Sequence, residues 1–531
     1  MDVVYVPHPL GTQVPVYRRA ASSPWLLFRE RAQAHPERPA VGDDVKDWSY
    51  GELYRAAVGM AAYFQQRLEV SAGERVALYM RNRVEYAAAL LACLALGAVA
   101  VPLNTRLAPR ELAVLLADCE PCCIVTDEDR AVDPPSGAAG RCTVIDATEL
   151  LHAATNAANE AVEAMVGRRE PGPWDPALIL YTSGTTGTPK GAVVGHGNLA
   201  QNVLNFRHFF GTGPDTRTLM PVPFYHVTGL LALFLHTVAV GGFVRLMADF
   251  QTQTFLDRLE ADAITYTCVV PAIYTLAVQH PSFARRDLRH WQVAAYGGSP
   301  MPVEVIRKLT AALPAIRAMN TYGATEVTGS CTFLPAEQAA VRPDSVGRPT
   351  PIHRLRIVDE QGRDLPVGEV GEVAITGGTL TLGYWRNPEA TQREFRDGWW
   401  LSGDLGRLDA DGYLYVLGRK RDTINRGGEK IYPLEVEEVL YNHPDVLEAA
   451  VVGVPHPVFG QEVAAAIVPR PDRRVEPEAL RAFLAGQLAD YKVPRRLLLV
   501  AALPKNPAGK VVKAEVARLF EEGAVDSPKL A

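Results

Sequence analysis

Apolar positions fall along this chain with two spacings, and the spacing decides which element each stretch predicts. Over residues 50–68 the apolar side chains include Leu53, Ala57, Met60, Ala61 and Phe64, mostly three and four apart, the repeat of one helix face. Residues 85–96 are alanine-rich and apolar on all sides, which predicts a closely packed buried helix. Residues 109–116 predict another helix, and the short apolar runs 75–79, 99–102 and 122–126 predict strands. Alternating strands and helices predict parallel βα units, because a parallel pair needs a crossover that a helix supplies. Residues 127–175 read as a connecting region. The rhythm resumes with strands predicted at 177–181, 218–222, 243–247, 263–269, 293–296 and 316–320, and helices between them. Gly241-Gly242, Pro271, Gly297-Gly298 and Pro300 punctuate the joins.

Beyond residue 340 the pattern shortens to alternating strands at 354–358 and 371–375, with turn signals at Asp359-Glu360-Gln361-Gly362 and Asp409-Ala410-Asp411-Gly412. After Arg421 about a hundred residues remain, the size of a small domain. They predict strands at 446–452, 463–468 and 496–500 and a helix at 477–488. The chain therefore reads as an α/β protein. A large N-terminal domain of βα subdomains plus a small β subdomain spans residues 1–420, and a small α+β C-terminal domain spans residues 421–531.

A length of 531 residues exceeds what one core organises, in keeping with that division. A net charge of −6 gives no global basic field of the kind nucleic acid requires, and Arg419-Lys420-Arg421 is only a local cluster. The N-terminus lacks a basic, then apolar, leader pattern, and stretches such as 87–96 are too short to span a bilayer. The last residues, Pro528-Lys529-Leu530-Ala531, come near a peroxisomal address without matching it. A cytoplasmic enzyme is the expectation. Of seven cysteines only Cys119, Cys122 and Cys123 cluster; a structural zinc site needs a second pair, so buried structural cysteine is the reading.

Candidate chemistry begins at Tyr181-Thr182-Ser183-Gly184-Thr185-Thr186-Gly187-Thr188-Pro189-Lys190-Gly191. Backbone N–H groups, hydroxyls and a cation lie together there, the donors that crowded phosphate oxygens need. The loop is not a Walker A motif, because Lys190 follows Pro189 and precedes Gly191 rather than Ser or Thr. A flexible linker is disfavoured, since a strand-like run leads into the loop and a helix-compatible stretch follows at Asn198.

Further motifs follow in order: Phe224-Tyr225-His226-Val227-Thr228-Gly229, Tyr296-Gly297-Gly298-Ser299-Pro300, and Asn320-Thr321-Tyr322-Gly323-Ala324-Thr325-Glu326. Next come Gly383-Tyr384-Trp385-Arg386-Asn387-Pro388-Glu389-Ala390-Thr391, Trp399-Trp400-Leu401-Ser402-Gly403-Asp404 and Gly418-Arg419-Lys420-Arg421-Asp422. Gly427-Gly428-Glu429-Lys430-Ile431 and Pro504-Lys505-Asn506-Pro507-Ala508-Gly509-Lys510 complete the set. The ordered set, from about Trp48 to Lys513, resembles the adenylate-forming superfamily of acyl-CoA synthetases, peptide-synthetase adenylation domains and beetle luciferases. Val101-Pro102-Leu103-Asn104-Thr105-Arg106-Leu107 and the Phe-Tyr-His run resemble most the fatty-acyl-CoA and coumarate-type ligases.

The resemblance implies a two-step reaction with ATP, Mg2+ and coenzyme A, through an acyl-AMP intermediate. It implies that Thr182, Ser183, Gly184, Thr185, Thr186, Gly187 and Lys190 hold the β- and γ-phosphates. Glu326, with Thr182, is implied as the magnesium site, and Thr325 as a partner of the α-phosphate. Gly298, Ser299 and Pro300 with Asn320, Thr321, Tyr322 and Gly323 would frame the adenine, and Asp404 and Arg419 would hold the ribose. Lys510 is the implied main catalytic residue, neutralising charge on the α-phosphate, and its acetylation a family-based regulatory expectation. Arg421, where many relatives carry Asp or Lys, would be the hinge of a mobile C-terminal domain. Rotation of that domain would bring Gly427 and Gly428 to the pantetheine of CoA.

His226 would gate the acyl site or orient the carboxylate, alongside Thr228 and Gly298. Amino-acid-activating relatives carry an Asp at that point, and this chain has none. The segments expected to line the acyl site, 203–210, 225–233, 269–273 and 296–301, are largely apolar, with Arg207 and His208 the basic exceptions besides His226. A second substrate carboxylate would need a buried cation. The expected substrate is therefore a monocarboxylic, largely apolar acid, fatty or aryl. An acyl-AMP ligase loading a carrier protein and a non-catalytic binding protein are the alternatives; an insertion near the hinge would mark the first, loss of Lys510, Glu326 or Asp404 the second.

Overall fold

The computed structural model describes residues 2–127, 130, 132–135, 142–155, 170–182, 189–299, 301–339, 341–471, 473–505 and 511–522. The strand–helix alternation builds two sheets. One is ordered Lys190–Gly195, Pro176–Thr182, Val99–Pro102, Arg75–Tyr79, Cys123–Thr126, Thr143–Asp146, parallel except at its first pair. The other runs Arg348–Pro349, Gly329–Leu334, Arg317–Ala324, Val293–Gly297, Tyr266–Val269, Arg217–Met220, Phe243–Leu246, Pro39–Gly42, Asp47–Ser49, parallel in the middle and antiparallel at both edges.

The largest apolar core lies on the helices between these sheets. Helix Tyr50–Arg67 starts on a capping box of Ser49 and Glu52, which satisfies two N-terminal amides reciprocally. Helix Val84–Leu96 is buried along almost its whole length, as its alanine-rich composition requires, and ends on Gly97 at φ +73°. Residues 127–175 are not merely a connection: strand Thr143–Asp146 extends the first sheet, and helix Ala147–Thr155 lies against Gly59, where a Cβ would stand 2.6 Å from the Ala154 carbonyl oxygen. The short, partly polar run around Thr143 hid that strand. The N-terminal hairpin Val3–Pro7/Gln13–Tyr17 is also unforeseen by the pattern; Gln201 ties it down by accepting from the Tyr17 amide and donating to the Tyr17 carbonyl.

Cys119 and Cys123 are buried, consistent with structural cysteines. The β subdomain is an antiparallel sheet of His353–Val358, Gly371–Gly377, Trp399–Leu408, Phe395–Arg396 and Leu414–Arg419. Between Arg419 and Ile424 the chain leaves it for a last sheet of Glu429–Ile431, Ile424–Arg426, Gly460–Pro469, Val446–His456 and Arg496–Leu499. Both faces of that sheet are covered. Val463, Ala465 and Ile467 pack with helices Pro433–Tyr441 and Pro477–Ala485, and Ala464, Ala466 and Val468 pack with helix Lys513–Glu522. No helix among the described residues is long and apolar enough to cross a membrane.

Candidate functional site

The glycine-rich loop joins two antiparallel strands rather than a strand and a helix. Strand Lys190–Gly195 precedes helix His196–Phe210, and Lys190 pairs in register with Thr182. The Thr182 hydroxyl faces the Lys190 carbonyl at 3.4 Å. Ser183, Gly184, Thr185, Thr186 and Gly187 lie outside the described residues, as do Pro300 and Lys510.

Strand Arg317–Ala324 carries Asn320, Thr321, Tyr322 and Gly323 out of the second sheet, and the turn Thr325–Val327 follows directly. Gly323 is required by close approach: a Cβ there would lie 1.8 Å from the Gly329 carbonyl oxygen. Asn320 donates to the Ser345 carbonyl, and Thr321 is buried. Behind the turn, Thr328 adopts φ +53°, which costs a non-glycine residue about 1 kcal/mol or more. A buried network holds it there. Asn202 donates to the Thr328 carbonyl, and the Thr328 hydroxyl donates to the Thr379 carbonyl. The Thr379 hydroxyl donates to the Val327 carbonyl and so accepts from His353 Nε2; His353 Nδ1 then accepts from the Thr350 hydroxyl. Burial drives His353 down to about 3, keeping it neutral.

Two carboxylates sit on this frame. Asp404, on strand Trp399–Leu408, is 6% exposed. Its Oδ2 accepts from the Tyr322 hydroxyl at 2.6 Å, and its Oδ1 meets Arg419 Nε at 2.9 Å across the strand pair. Tyr322, expected beside the adenine, thus also braces the carboxylate expected at the ribose. Glu326 is 9% exposed. Burial raises its pKa above the usual carboxylate value, against a hydrogen bond from Tyr384 at 3.0 Å to Oε1. A desolvated carboxylate with hard oxygen donors is a fitting ligand for Mg2+, which would restore the charge balance that burial disturbs.

The Lys190 side chain is 6% exposed, and its ammonium pairs with Glu394 and stands 5.0 Å from the Tyr384 ring centre. Glu394 in turn accepts from the Tyr384 hydroxyl at 2.7 Å. Sequence reasoning missed Glu394 and the hydroxyl of Tyr384. Lys190 and Glu394 are 204 positions apart, and no local pattern links them.

His226 is half-buried just before a π-helical stretch, Thr228–Leu235, and its Nδ1 accepts from the Thr228 amide at 3.2 Å. Such stretches recur at functional sites. Gly298 takes φ +82° after strand Val293–Gly297. Arg207 and His208, expected among the acyl-site linings, are exposed instead, while Val203, Phe206 and Phe210 of the same helix are buried. Helical spacing turns the basic pair outward.

Arg421 is exposed in the short turn Lys420–Asp422 between the β subdomain and the last sheet. Gly427 and Gly428 form the exposed tip of hairpin Ile424–Arg426/Glu429–Ile431 at φ +62° and +101°. The structure therefore gathers Tyr322, Asp404 and Arg419 into one cluster and Glu326, Tyr384, Glu394 and Lys190 into another. Arg421, Gly427 and Gly428 stand outside both.

Comparison with known proteins identifies the family. The profile described as "AMP-binding enzyme" matches residues 28–385, and the "AMP-binding enzyme C-terminal domain" profile matches residues 435–510. The chain is similar to a feruloyl-CoA synthase of an Amycolatopsis species, 36% identical over 491 residues, covering 92% of this chain and 97% of the relative. An indoleacetate–CoA ligase of Aromatoleum aromaticum is 34% identical over 508 residues, covering 94% and 98%. Among solved structures, an O-succinylbenzoate coenzyme A synthetase of Bacillus subtilis in complex with ATP and magnesium ion superposes with a TM-score of 0.81 at 29% identity, covering 92% and 98%.

Proposed function

The chain belongs to the AMP-binding enzymes, on their acyl-CoA synthetase branch, and we propose that it joins a largely apolar monocarboxylic acid, fatty or aryl, to coenzyme A. As an AMP-forming ligase of that branch it uses ATP, Mg2+ and coenzyme A. The relatives named for feruloyl and indoleacetate substrates support the aryl option. The outward turn of Arg207 and His208 supports a site without a partner for a second carboxylate.

The observation that carries the reading is the run from Tyr322 to Glu326. One strand and turn present a brace for Asp404, the hydroxyl of Thr325 and a buried carboxylate. In the first step an oxygen of the acid attacks the α-phosphorus of ATP, and the bond to diphosphate breaks. In the second the CoA thiol attacks the acyl carbon, AMP leaves, and the thiol proton is lost. Neither step needs a protein nucleophile, so positioning and charge stabilisation carry the acceleration.

In this reading Asp404 and Arg419 take the ribose, Thr325 the α-phosphate and Glu326 the magnesium ion, which when bound neutralises phosphate charge. Thr182 and the loop residues to Gly187 take the β- and γ-phosphates, and Gly298 and Ser299 with Asn320 to Gly323 border the adenine. His226 and Thr228 face the acid. Lys510 neutralises the α-phosphate oxygens during adenylation. Residues 421–531 move about Arg421 so that Gly427 and Gly428 meet the pantetheine. The test is acid-dependent exchange of labelled pyrophosphate into ATP. It is expected in the wild type and reduced about 10²–10³-fold in Lys510→Ala at an unchanged melting temperature. Exchange that needs no acid, or that survives in Lys510→Ala, would overturn the reading.

A further inference from the structure

The lysine at the foot of the glycine-rich loop is already held by a partly buried partner, and that partner leads to Glu326. Lys190 meets Glu394 with side chains 6% and 20% exposed. Glu394 Oε1 accepts from Lys190 and from Arg393, and Oε2 accepts from the Tyr384 hydroxyl. The same hydroxyl reaches Glu326 Oε1 at 3.0 Å. We propose that Lys190, Glu394 and Tyr384 form a positioning chain that aims Glu326 at its cation, and that Lys190 acts there rather than on the phosphates. The inference rests on the reading of Glu326 as the magnesium carboxylate.

Three features carry it. The first is the cost of the alternative. Drawing Lys190 away to a phosphate leaves the partly buried Glu394 carboxylate with only the exposed Arg393 and the Tyr384 hydroxyl, at a cost in stability. The second is the hydroxyl itself. A phenol has one proton, and here it lies between two carboxylates, so Glu394 and Glu326 share a single donor. Lys190 holds the Glu394 end of that arrangement in place. Among the described residues of this set two carboxylates face one ammonium; Arg393 is 47% exposed, and Arg419, whose charge also reaches Glu326, is paired with Asp404. The balance beside Glu326 is negative, which a divalent cation answers and a further phosphate does not.

The third feature is rigidity. The Trp385 amide donates to the Gly191 carbonyl, the Val193 amide to Gly383, and the Leu382 amide to Val193, so the strand starting at Lys190 and the segment carrying Tyr384 are laced into one body. Glu394 ends helix Pro388–Glu394, and the Tyr384 amide is fixed by Thr391 of the same helix. Each member of the chain therefore reaches Glu326 from a set position, the condition under which groups behind a metal ligand tune it.

The test is calorimetric binding of ATP with Mg2+, of ATP in chelator, and of AMP, to wild type, Lys190→Met, Glu394→Gln, Tyr384→Phe and the Lys190→Met/Glu394→Gln double variant. Titration of Mn2+ into the ATP complex is followed in parallel by electron paramagnetic resonance. Tyr384→Phe removes one oxygen and keeps the ring packed on Phe395, so it reports even where a charge variant folds poorly. We expect each single change to weaken metal-supported ATP binding and Mn2+ affinity about 10–100-fold, with AMP and metal-free ATP nearly unaffected. The double variant should be no worse than Lys190→Met alone. The inference is overturned if Lys190→Met weakens ATP equally with and without metal while Glu394→Gln and Tyr384→Phe bind as the wild type does. A wild type that binds no ATP would instead sink the functional reading itself.

Discussion

Replacing Asp404 by asparagine keeps the shape of the side chain and removes its charge. The carboxylate now accepts from Tyr322 at 2.6 Å and meets Arg419 Nε at 2.9 Å, and as an acceptor-only group it suits a ribose diol. A hydrogen bond to a charged acceptor contributes about 1.5–3 kcal/mol, against about 0.5–1.5 for a neutral one. Two ribose hydroxyls therefore lose about 2–3 kcal/mol together, or about 30–150-fold in the dissociation constant of ATP. Arg419 is 43% exposed and keeps its hydrogen bond to the Ser402 carbonyl, so losing the ion pair should shift the melting temperature little. The assay is calorimetric titration with ATP and with 2′-deoxyATP. Wild type should prefer ATP by about tenfold or more, and in Asp404→Asn the preference should shrink to a few-fold. Unchanged affinity, or full retention of the preference for the ribose form, would refute the assignment of Asp404.

Other consequences are equally open to measurement. Gly323→Ala places a Cβ 1.8 Å from a backbone oxygen that cannot rotate away, so the strand pair must open. Scanning calorimetry should show a loss of about 1–3 kcal/mol, with adenylation impaired; an unchanged transition would contradict the packing. Gly427→Ala forces a left-handed residue worth about 1–2 kcal/mol and brings a Cβ to 3.1 Å from Phe459. Thioester formation in single turnover should slow about tenfold while pyrophosphate exchange stays as in the wild type, and equal losses in both would remove the CoA role.

Burial also drives His196 and His236 down to about 4 and His353 to about 3. Their unfolded forms take up protons below about 6.5 and the folded forms do not, so this stability is complete above pH 6.5 and is lost as pH falls towards 4. At pH 5.5 each histidine should cost about 1 kcal/mol. The urea midpoint should drop between pH 7.5 and 5.5, and a flat profile would contradict neutral burial.

Much of the fold is legible because the period of the apolar residues differs between helix and strand. Helix Tyr50–Arg67 and strands Arg75–Tyr79 and Val99–Pro102 follow from it almost to the residue. Strand Lys190–Gly195 escaped, since every one of its six residues is buried and so none of the alternation of a half-exposed strand survives. The motifs single out Asp404 and Glu326, whose residue types suit a diol and a hard cation. What they cannot locate is who braces whom. Tyr322 reaches Asp404 over 82 positions and Tyr384 reaches Glu326 over 58, contacts created only by the stacking of sheets. The charges of Arg207 and His208 were legible, but their direction was not, because the choice of helix face depends on which sheet the helix covers.

In the proposed reaction an acid is joined to a thiol at the expense of a nucleotide cleaved between its α- and β-phosphates. The most direct measurement offers the purified protein ATP, Mg2+, coenzyme A and a panel of fatty and aryl acids, with the nucleotide products separated by chromatography. AMP and pyrophosphate should form together with an acyl-CoA thioester, in amounts that depend on both the acid and the thiol. ADP and phosphate as the products, or AMP release indifferent to coenzyme A, would contradict it.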